Sequence, residues 1–247
     1  HYSKYLQSLI LIIIEILFKK DIMLQKNSIF SLFNSQEELD RNAAQFIIEK
    51  AKIAINEKGS FSLVLSGGTT PVNVYKLLAK EQVNFEKWYI YFGDERCFPL
   101  NHLERNSNVA ELIWLSKVNI PKSNIFIIPA ELGNKDGSLA YEKILDKNKS
   151  FDLVILGLGD DGHIASLFPN HQWENTKQVI SVSNSPKAPS DRISLTLSRL
   201  SNTEEVLFLI SGKNKAHAFN RWKEGGDLPA NLISAKNQIS IMAFDIF

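Results

Sequence analysis

Cysteine is almost missing: Cys97 is the only one in 247 residues. That excludes a disulfide framework and fits a reducing, cytoplasmic compartment. Neither sign of charge is in excess. With 28 Lys and Arg against 27 Asp and Glu, the formal net charge is +1, so nothing marks a nucleic-acid footprint and any anion must be held by a local cluster of cations. Long apolar runs are missing too. Residues 9–18 are apolar but interrupted by Glu15, well short of the roughly 20 residues that a bilayer span needs. They resemble a signal-peptide core, yet Lys19, Lys20 and Asp21 follow where small residues would mark a cleavage site. Because the chain opens on His1, residues 1–22 are expected to be a non-native or disordered extension, and residues 23–247 one α/β domain. There is no internal repeat, no low-complexity linker, no Walker A loop and no Gly-x-Ser-x-Gly elbow. Cys97 has no base partner in sequence, so nucleophilic serine or cysteine hydrolysis is unsupported.

What is present alternates between two periods. Ser35-Gln36-Glu37-Glu38 has capping-box spacing, with Ser35 as N-cap and Glu38 reaching back. Leu39, Ala43, Ile47, Ala51, Ala54 and Ile55 then recur at helical spacing up to Gly59. Short apolar runs at 61–65, 88–92, 125–128, 151–156, 180–182, 193–197, 206–210 and 238–243 read as strands. Helices are predicted from Pro71 onward, from a cap at Asn106 or Ser107 to about 118, at 139–146 and at 214–223. Two prolines make 184–190 a loop. The alternation predicts a doubly wound α/β domain with a mainly parallel sheet, and 44% hydrophobic residues suffice for its core.

Chemistry gathers in four places. After the strand at 151–156 comes Gly157-Leu158-Gly159-Asp160-Asp161-Gly162-His163, beyond a strand end, where open α/β sheets bind ligands. Its glycines match G-x-G-x-x-G, but two aspartates stand where a pyrophosphate would lie and no acid occurs at 180–184 to hold a ribose, which argues against a nicotinamide or flavin. Asp161 and His163, two apart, suit a carboxylate orienting an imidazole that takes a proton from water. A structural hydrogen bond and a zinc site shared with His171 are the alternatives, and no second metal-ligand pair accompanies them. Ser66-Gly67-Gly68-Thr69-Thr70 before Pro71 suits either a phosphate cradle at a helix start or an ordinary tight turn. Asp94-Glu95-Arg96 suits sugar hydroxyls and phosphate, or a structural ion network. Arg192 and Lys215 matter only if the fold brings them to the Ser66 loop.

Taken in order, these motifs resemble the 6-phosphogluconolactonase family. The resemblance rests on Ser66 to Pro71, Gly93-Asp94-Glu95-Arg96, Asn106-Ser107-Asn108, residues 157–169, Arg192-Ile193-Ser194-Leu195-Thr196 and Gly212-Lys213-Asn214-Lys215-Ala216, and runs from about Ile29 to the C-terminus. It implies a three-layer α/β/α, modified Rossmann-like fold shared with amino-sugar 6-phosphate isomerases and deaminases. It implies hydrolysis of 6-phospho-D-glucono-1,5-lactone without metal or organic cofactor, by a monomer or weak homo-oligomer that engages neither nucleic acid nor membrane. Carried over by position, His163 is the base and Asp161 its neighbour. Ser66, Gly67, Gly68, Thr69, Arg192 and Lys215 hold the sugar phosphate, and Arg96 and Asp94 contact the substrate. The oxyanion donors are sought among the N–H groups of Gly67, Gly68 and Gly162. The isomerases carry Glu where this chain has Phe168, which cannot move a proton. An isomerase or deaminase, and a non-catalytic sugar-phosphate sensor, are the competing readings.

Overall fold

The computed structural model describes residues 27–247, so the expectation for residues 1–22 lies outside the described residues. A strand β1 (Ser28–Leu32) leads through Ser35 into the long helix α1 (Gln36–Lys58). Ser35 accepts the Glu38 N–H at 3.1 Å, while Glu38 accepts the Asn34 N–H at 3.0 Å, so the capping box closes one residue earlier than its spacing suggests. Gly59 ends the helix at φ 80°, a left-handed turn that favours glycine. There follow β2 (Phe61–Leu65), α2 (Thr69–Leu78), β3 (Trp88–Phe92), β4 (Asp94–Arg96), α3 (Asn106–Ile113), β5 (Ile125–Phe126), α4 (Gly133–Ile144) and β6 (Phe151–Leu156). The chain ends with β7 (Val179–Val182), β8 (Arg192–Leu195), α5 (Leu197–Ser201), β9 (Thr203–Ser211), α6 (Ala216–Lys223), α7 (Pro229–Leu232) and β10 (Gln238–Phe244).

Seven strands make one sheet in the order β1-β10-β9-β6-β2-β3-β5, with every pairing parallel. All five residues of β2 are buried, as the two-faced covering of a parallel sheet by helices requires. The architecture is the expected three-layer α/β/α fold. β2 and β6 lie side by side, Leu63 opposite Leu153. From β2 the chain moves outward to β3, and from β6 outward the other way to β9, so the winding reverses between them. A crevice at such a reversal, beyond the carboxyl ends of the strands, is where ligands bind in doubly wound sheets.

The structure corrects the strand assignment in one respect. The runs predicted at 180–182 and 193–197 do not join the parallel sheet; β4, β8 and β7 form a separate three-stranded antiparallel sheet. Its register sets Asp94 opposite Ser194 and Arg96 opposite Arg192. β8 stops at Leu195 because Thr196 caps α5, its side chain accepting the Arg199 N–H at 3.2 Å. Other boundaries shift for local reasons. α4 starts at Gly133 rather than 139, its early turns masked in sequence by Gly133 and Gly137, which lower helix propensity. Gly137 is needed there, because a Cβ would lie 2.6 Å from the Pro129 carbonyl oxygen. α3 ends at Ile113 and a 3₁₀ turn, Leu115–Lys117, replaces its predicted last turn. β1 was not predicted, since Phe30 alone of its five residues is buried and no alternation shows.

Neither Asn106 nor Ser107 caps α3. The side chain of Glu95, reaching from β4, does so instead. It accepts the N–H groups of Asn106 and Ser107 at 2.7 and 2.9 Å, the Ser107 hydroxyl at 2.8 Å and the Arg96 N–H at 3.0 Å. Glu95 is 0% exposed, and so is Arg105, whose Nε lies 3.8 Å from it. Arg105 also donates to Glu131 at 2.8 Å and to the Ile128 carbonyl at 2.7 Å. Burial pushes the Glu95 carboxyl above its ordinary value, against the pull of the Ser107, Asn106 and Arg96 donors. Removing this carboxylate strands four donors, three of them buried, and a buried guanidinium. Glu95→Ala should therefore lower the unfolding free energy by about 3–5 kcal/mol in urea denaturation. A loss of less than about 1 kcal/mol would show that the cap is dispensable.

Candidate active site

Buried tyrosines fix the strand ends from which the site loops depart. The Tyr75 hydroxyl, on α2, accepts the Ser66 N–H at 3.0 Å and donates to the Ser66 carbonyl at 2.9 Å. Tyr141, on α4, does the same for Phe92 at 3.1 and 3.2 Å. Burial pushes both phenols well above their ordinary value, so both hydroxyls keep their proton and serve as donor and acceptor together. Beyond Ser66 the backbone turns at Gly68, φ 99°, and α2 begins at Thr69, two residues ahead of the predicted Pro71. No side chain caps it, so its first N–H groups and dipole are available to an anion. Gly67 is glycine for another reason: a Cβ there would run into the side-chain amide of Asn106. That amide donates to the Asp94 carbonyl at 2.9 Å.

A cleft of about 200 Å³ opens at the reversal between β2 and β6. Of the residues expected from sequence, Ser66, Gly67, Gly68 and Thr69 line one wall. Asp94, Arg96, Arg192, His163 and Lys215 line the others. Asp161 is not on the wall; it sits behind His163. Asp94 is buried and accepts the Ser166 hydroxyl at 2.6 Å. Arg96 donates to the Glu104 carbonyl at 2.7 Å. Arg192 is held by three carbonyls, those of Pro189 at 3.2 Å, Lys187 at 3.3 Å and Ala188 at 2.8 Å. Burial depresses the Lys215 ammonium, and Asp160 works against that depression.

The histidine loop is a tight turn made by glycines. Gly159 N–H donates to the His163 carbonyl at 2.8 Å and Gly162 N–H to the Gly159 carbonyl at 3.0 Å, with Gly162 at φ 93°. A Cβ on Gly159 would strike the His163 ring. The turn brings Asp161 Oδ1 to 2.5 Å from His163 Nδ1 and to 3.1 Å from the His163 N–H. Burial opposes ionisation of Asp161, but the contact with His163 outweighs it, and the carboxyl is held well below the ordinary range. An ionised carboxylate only accepts, so a proton sits on Nδ1, and in the neutral imidazole the lone pair is then on Nε2. Phe168, 1% exposed, packs its ring 4.8 Å from the imidazole.

Several expectations need amendment. The Gly162 N–H is spent on Gly159 and leaves the set of oxyanion donors, in which Gly67 and Gly68 remain. His171 turns its Nδ1 to the Pro169 carbonyl, and among the described residues no three His, Cys, Asp or Glu side chains gather as metal ligands do. Burial, with Asp191 and Glu95, pushes the Cys97 thiol up to about 11, which keeps it protonated at neutral pH. Among the described residues no helix is long and apolar enough to cross a membrane. Sequence reasoning missed Asn106, Ala165 and Ser211, which also line the cleft. Asn106 had a signal, its Asn-Ser-Asn run, but was read as a cap. Ala165 had none, because its place depends on a left-handed φ of 47°.

Residues 34–242 match the family model described as glucosamine-6-phosphate isomerases/6-phosphogluconolactonase. The chain is 33% identical over 229 residues to 6-phosphogluconolactonase 3, chloroplastic, of Arabidopsis thaliana, covering 84% of this chain and 70% of that one. It is 33% identical over 228 residues to 6-phosphogluconolactonase of Rattus norvegicus, covering 84% and 87%. The crystal structure of 6-phosphogluconolactonase from Thermotoga maritima superposes with a TM-score of 0.82 at 27% identity, over 88% of this chain and 99% of that one.

The lowered carboxyl of Asp161 has a consequence in acid. Its folded value lies below the ordinary 3.8, so the ionised form adds stability above that pH, and the contribution is lost as pH falls through the folded value. Asp161→Asn should therefore lose less stability than the parent chain between about pH 5 and about pH 2. Urea midpoints at the two pH values measure the difference, and equal losses would mean that the pair is uncoupled from folding.

Proposed function

The chain belongs to the family of glucosamine-6-phosphate isomerases and 6-phosphogluconolactonases, and from that premise we propose that it hydrolyses 6-phospho-D-glucono-1,5-lactone to 6-phospho-D-gluconate in the pentose phosphate pathway. The observation that carries this reading is one cleft holding both an imidazole oriented by a carboxylate and three cations beside an open helix start. In this reading the phosphate lies against the Ser66–Thr69 loop, Arg192 and Lys215, while Arg96 and Asp94 meet the sugar hydroxyls. Phosphate held away from the reacting carbon fixes the ring for attack.

Water then attacks C1 while His163 Nε2 takes its proton. Asp161 keeps the proton on Nδ1 and stabilises the imidazolium as it forms. The negative charge passes to the carbonyl oxygen, for which the N–H groups of Gly67 and Gly68 are candidate donors. Collapse breaks the bond between C1 and the ring oxygen. The ring oxygen takes a proton from the imidazolium and leaves as the C5 hydroxyl, giving the open acid. No second proton carrier is required on the Phe168 side, in keeping with a buried aromatic at a position where an isomerase needs a carboxylate. We further propose action as a monomer or weak homo-oligomer in the cytoplasm. Several relatives are named chloroplastic, so fractionation that finds the protein in a plastid would overturn that address.

The direct test is hydrolysis of freshly generated 6-phosphogluconolactone, with the spontaneous rate subtracted. His163→Ala should lower kcat about 10²–10⁴-fold with KM changed only a few-fold. Near-normal turnover would remove His163 as the base. Ammonia release from glucosamine 6-phosphate in place of lactone turnover would move the chain to the deaminase branch. Lys215→Ala should act on the other term, raising KM about 10–100-fold with kcat nearly kept. An unchanged KM would break the phosphate assignment.

A further inference from the structure

One exposed ion pair joins the histidine loop, whose Gly159 lines the cleft, to the segment that leads into Arg192. Lys187 Nζ bonds Asp160 Oδ1, with the side chains 38% and 48% exposed. Asp160 stands between Gly159, which lines the cleft, and Asp161, which orients His163. Lys187 belongs to the segment whose carbonyls hold the Arg192 guanidinium. Its backbone thus supports one cation of the cleft while its ammonium covers the carboxylate next to the cleft-lining Gly159.

Donors for a phosphate are fewer than the cations suggest. Arg192 already commits Nε and Nη2 to backbone carbonyls, and Arg96 commits Nη1 to Glu104. Each arginine keeps its charge but only part of its fork. Lys215 lies in the same electrostatic neighbourhood: burial depresses its ammonium, Asp160 opposes this and Lys187 adds to it. An incoming phosphate, nearly dianionic at neutral pH, would meet Asp160 as a like charge. At present Lys187 masks that charge.

We infer that Lys187 is a further substrate-binding residue, which exchanges Asp160 for the phosphate of the ligand, and that Asp160 is the internal competitor holding the ammonium until then. This rests on the sugar-phosphate reading above. The exchange is favourable on three counts. An exposed carboxylate–ammonium pair is worth little. A phosphate offers three strong acceptors to the same ammonium. The released Asp160 is half exposed, so water takes it up and it is not stranded as a buried charge.

A passive strap between the loops makes a different prediction, because either partner's loss would then loosen the site and weaken binding. Calorimetric titration of the intact chain with 6-phosphogluconate, the stable product, separates the two. Asp160→Asn should tighten binding about two- to fivefold, since the competitor is gone. Lys187→Gln should weaken it about tenfold, and the double variant should be weakened less than Lys187→Gln, because the unmasked Asp160 charge is then gone as well. Thermal melts check that each variant is folded, and Lys187→Arg should restore most of the affinity. Weakening by both single variants, or no change in either, overturns the inference while leaving the lactonase reading intact. Failure of the parent chain itself to bind 6-phosphogluconate overturns both.

Discussion

The rest of the site depends on one buried carboxylate. Glu95 bonds backbone on both sides of a sharp change of direction, its own strand and the first turn of α3. Those bonds hold Asp94 and Arg96 on either side of it at fixed positions, and they bring Asn106 against Gly67. The Ser66–Thr69 loop and the antiparallel sheet are therefore registered to each other through a single side chain. A buried carboxylate is costly to keep charged, and here a helix dipole, four hydrogen bonds and Arg105 all offset that cost. The arrangement stores no freedom: with Arg105 shared between Glu95, Glu131 and the Ile128 carbonyl, the corner has no easy alternative packing.

Against that rigid corner stands the histidine loop, and the two solve different problems. The corner and the cradle collect positive charge and N–H groups for an anion. The histidine loop presents an imidazole whose Nδ1 proton is held by Asp161. Two glycines allow it, Gly162 for the φ of the turn and Gly159 because the imidazole occupies the place of its Cβ. Phe168 packs against the ring, tilted by 41° with the centroids 4.8 Å apart. The sheet reversal between β2 and β6 delivers both halves to one crevice although they are nearly a hundred residues apart in the chain.

Much of this was legible beforehand because its signals are local. A strand followed by Ser-Gly-Gly-Thr-Thr, or by Gly-x-Gly-Asp-Asp-Gly-His, announces its chemistry through residue types within a few positions. The parallel sheet followed from the alternation of periods. What stayed hidden depends on long-range contact. Asn106 was taken for a cap because the residue that really caps α3 lies eleven positions upstream in another strand. The antiparallel sheet was missed because β7 and β8 have the same apolar character as core strands, and only their partners distinguish them. Ala165 reaches the cleft by a backbone angle that alanine does not advertise. Gly162 looked like a free donor, and only the closure of its own turn shows otherwise.

Arg96 and Arg192 stand directly opposite each other across the antiparallel ladder. Like charges so placed repel, and the small sheet carries that repulsion whenever nothing lies between them. An anion seated in the cleft removes it and so acts as a missing piece of the fold. By mass action the folded chain is then more stable the more ligand surrounds it. Under the proposed function, persistence in a cell would be coupled to ligand supply: a chain without its ligand would unfold more often, and reach quality control sooner, than an occupied one.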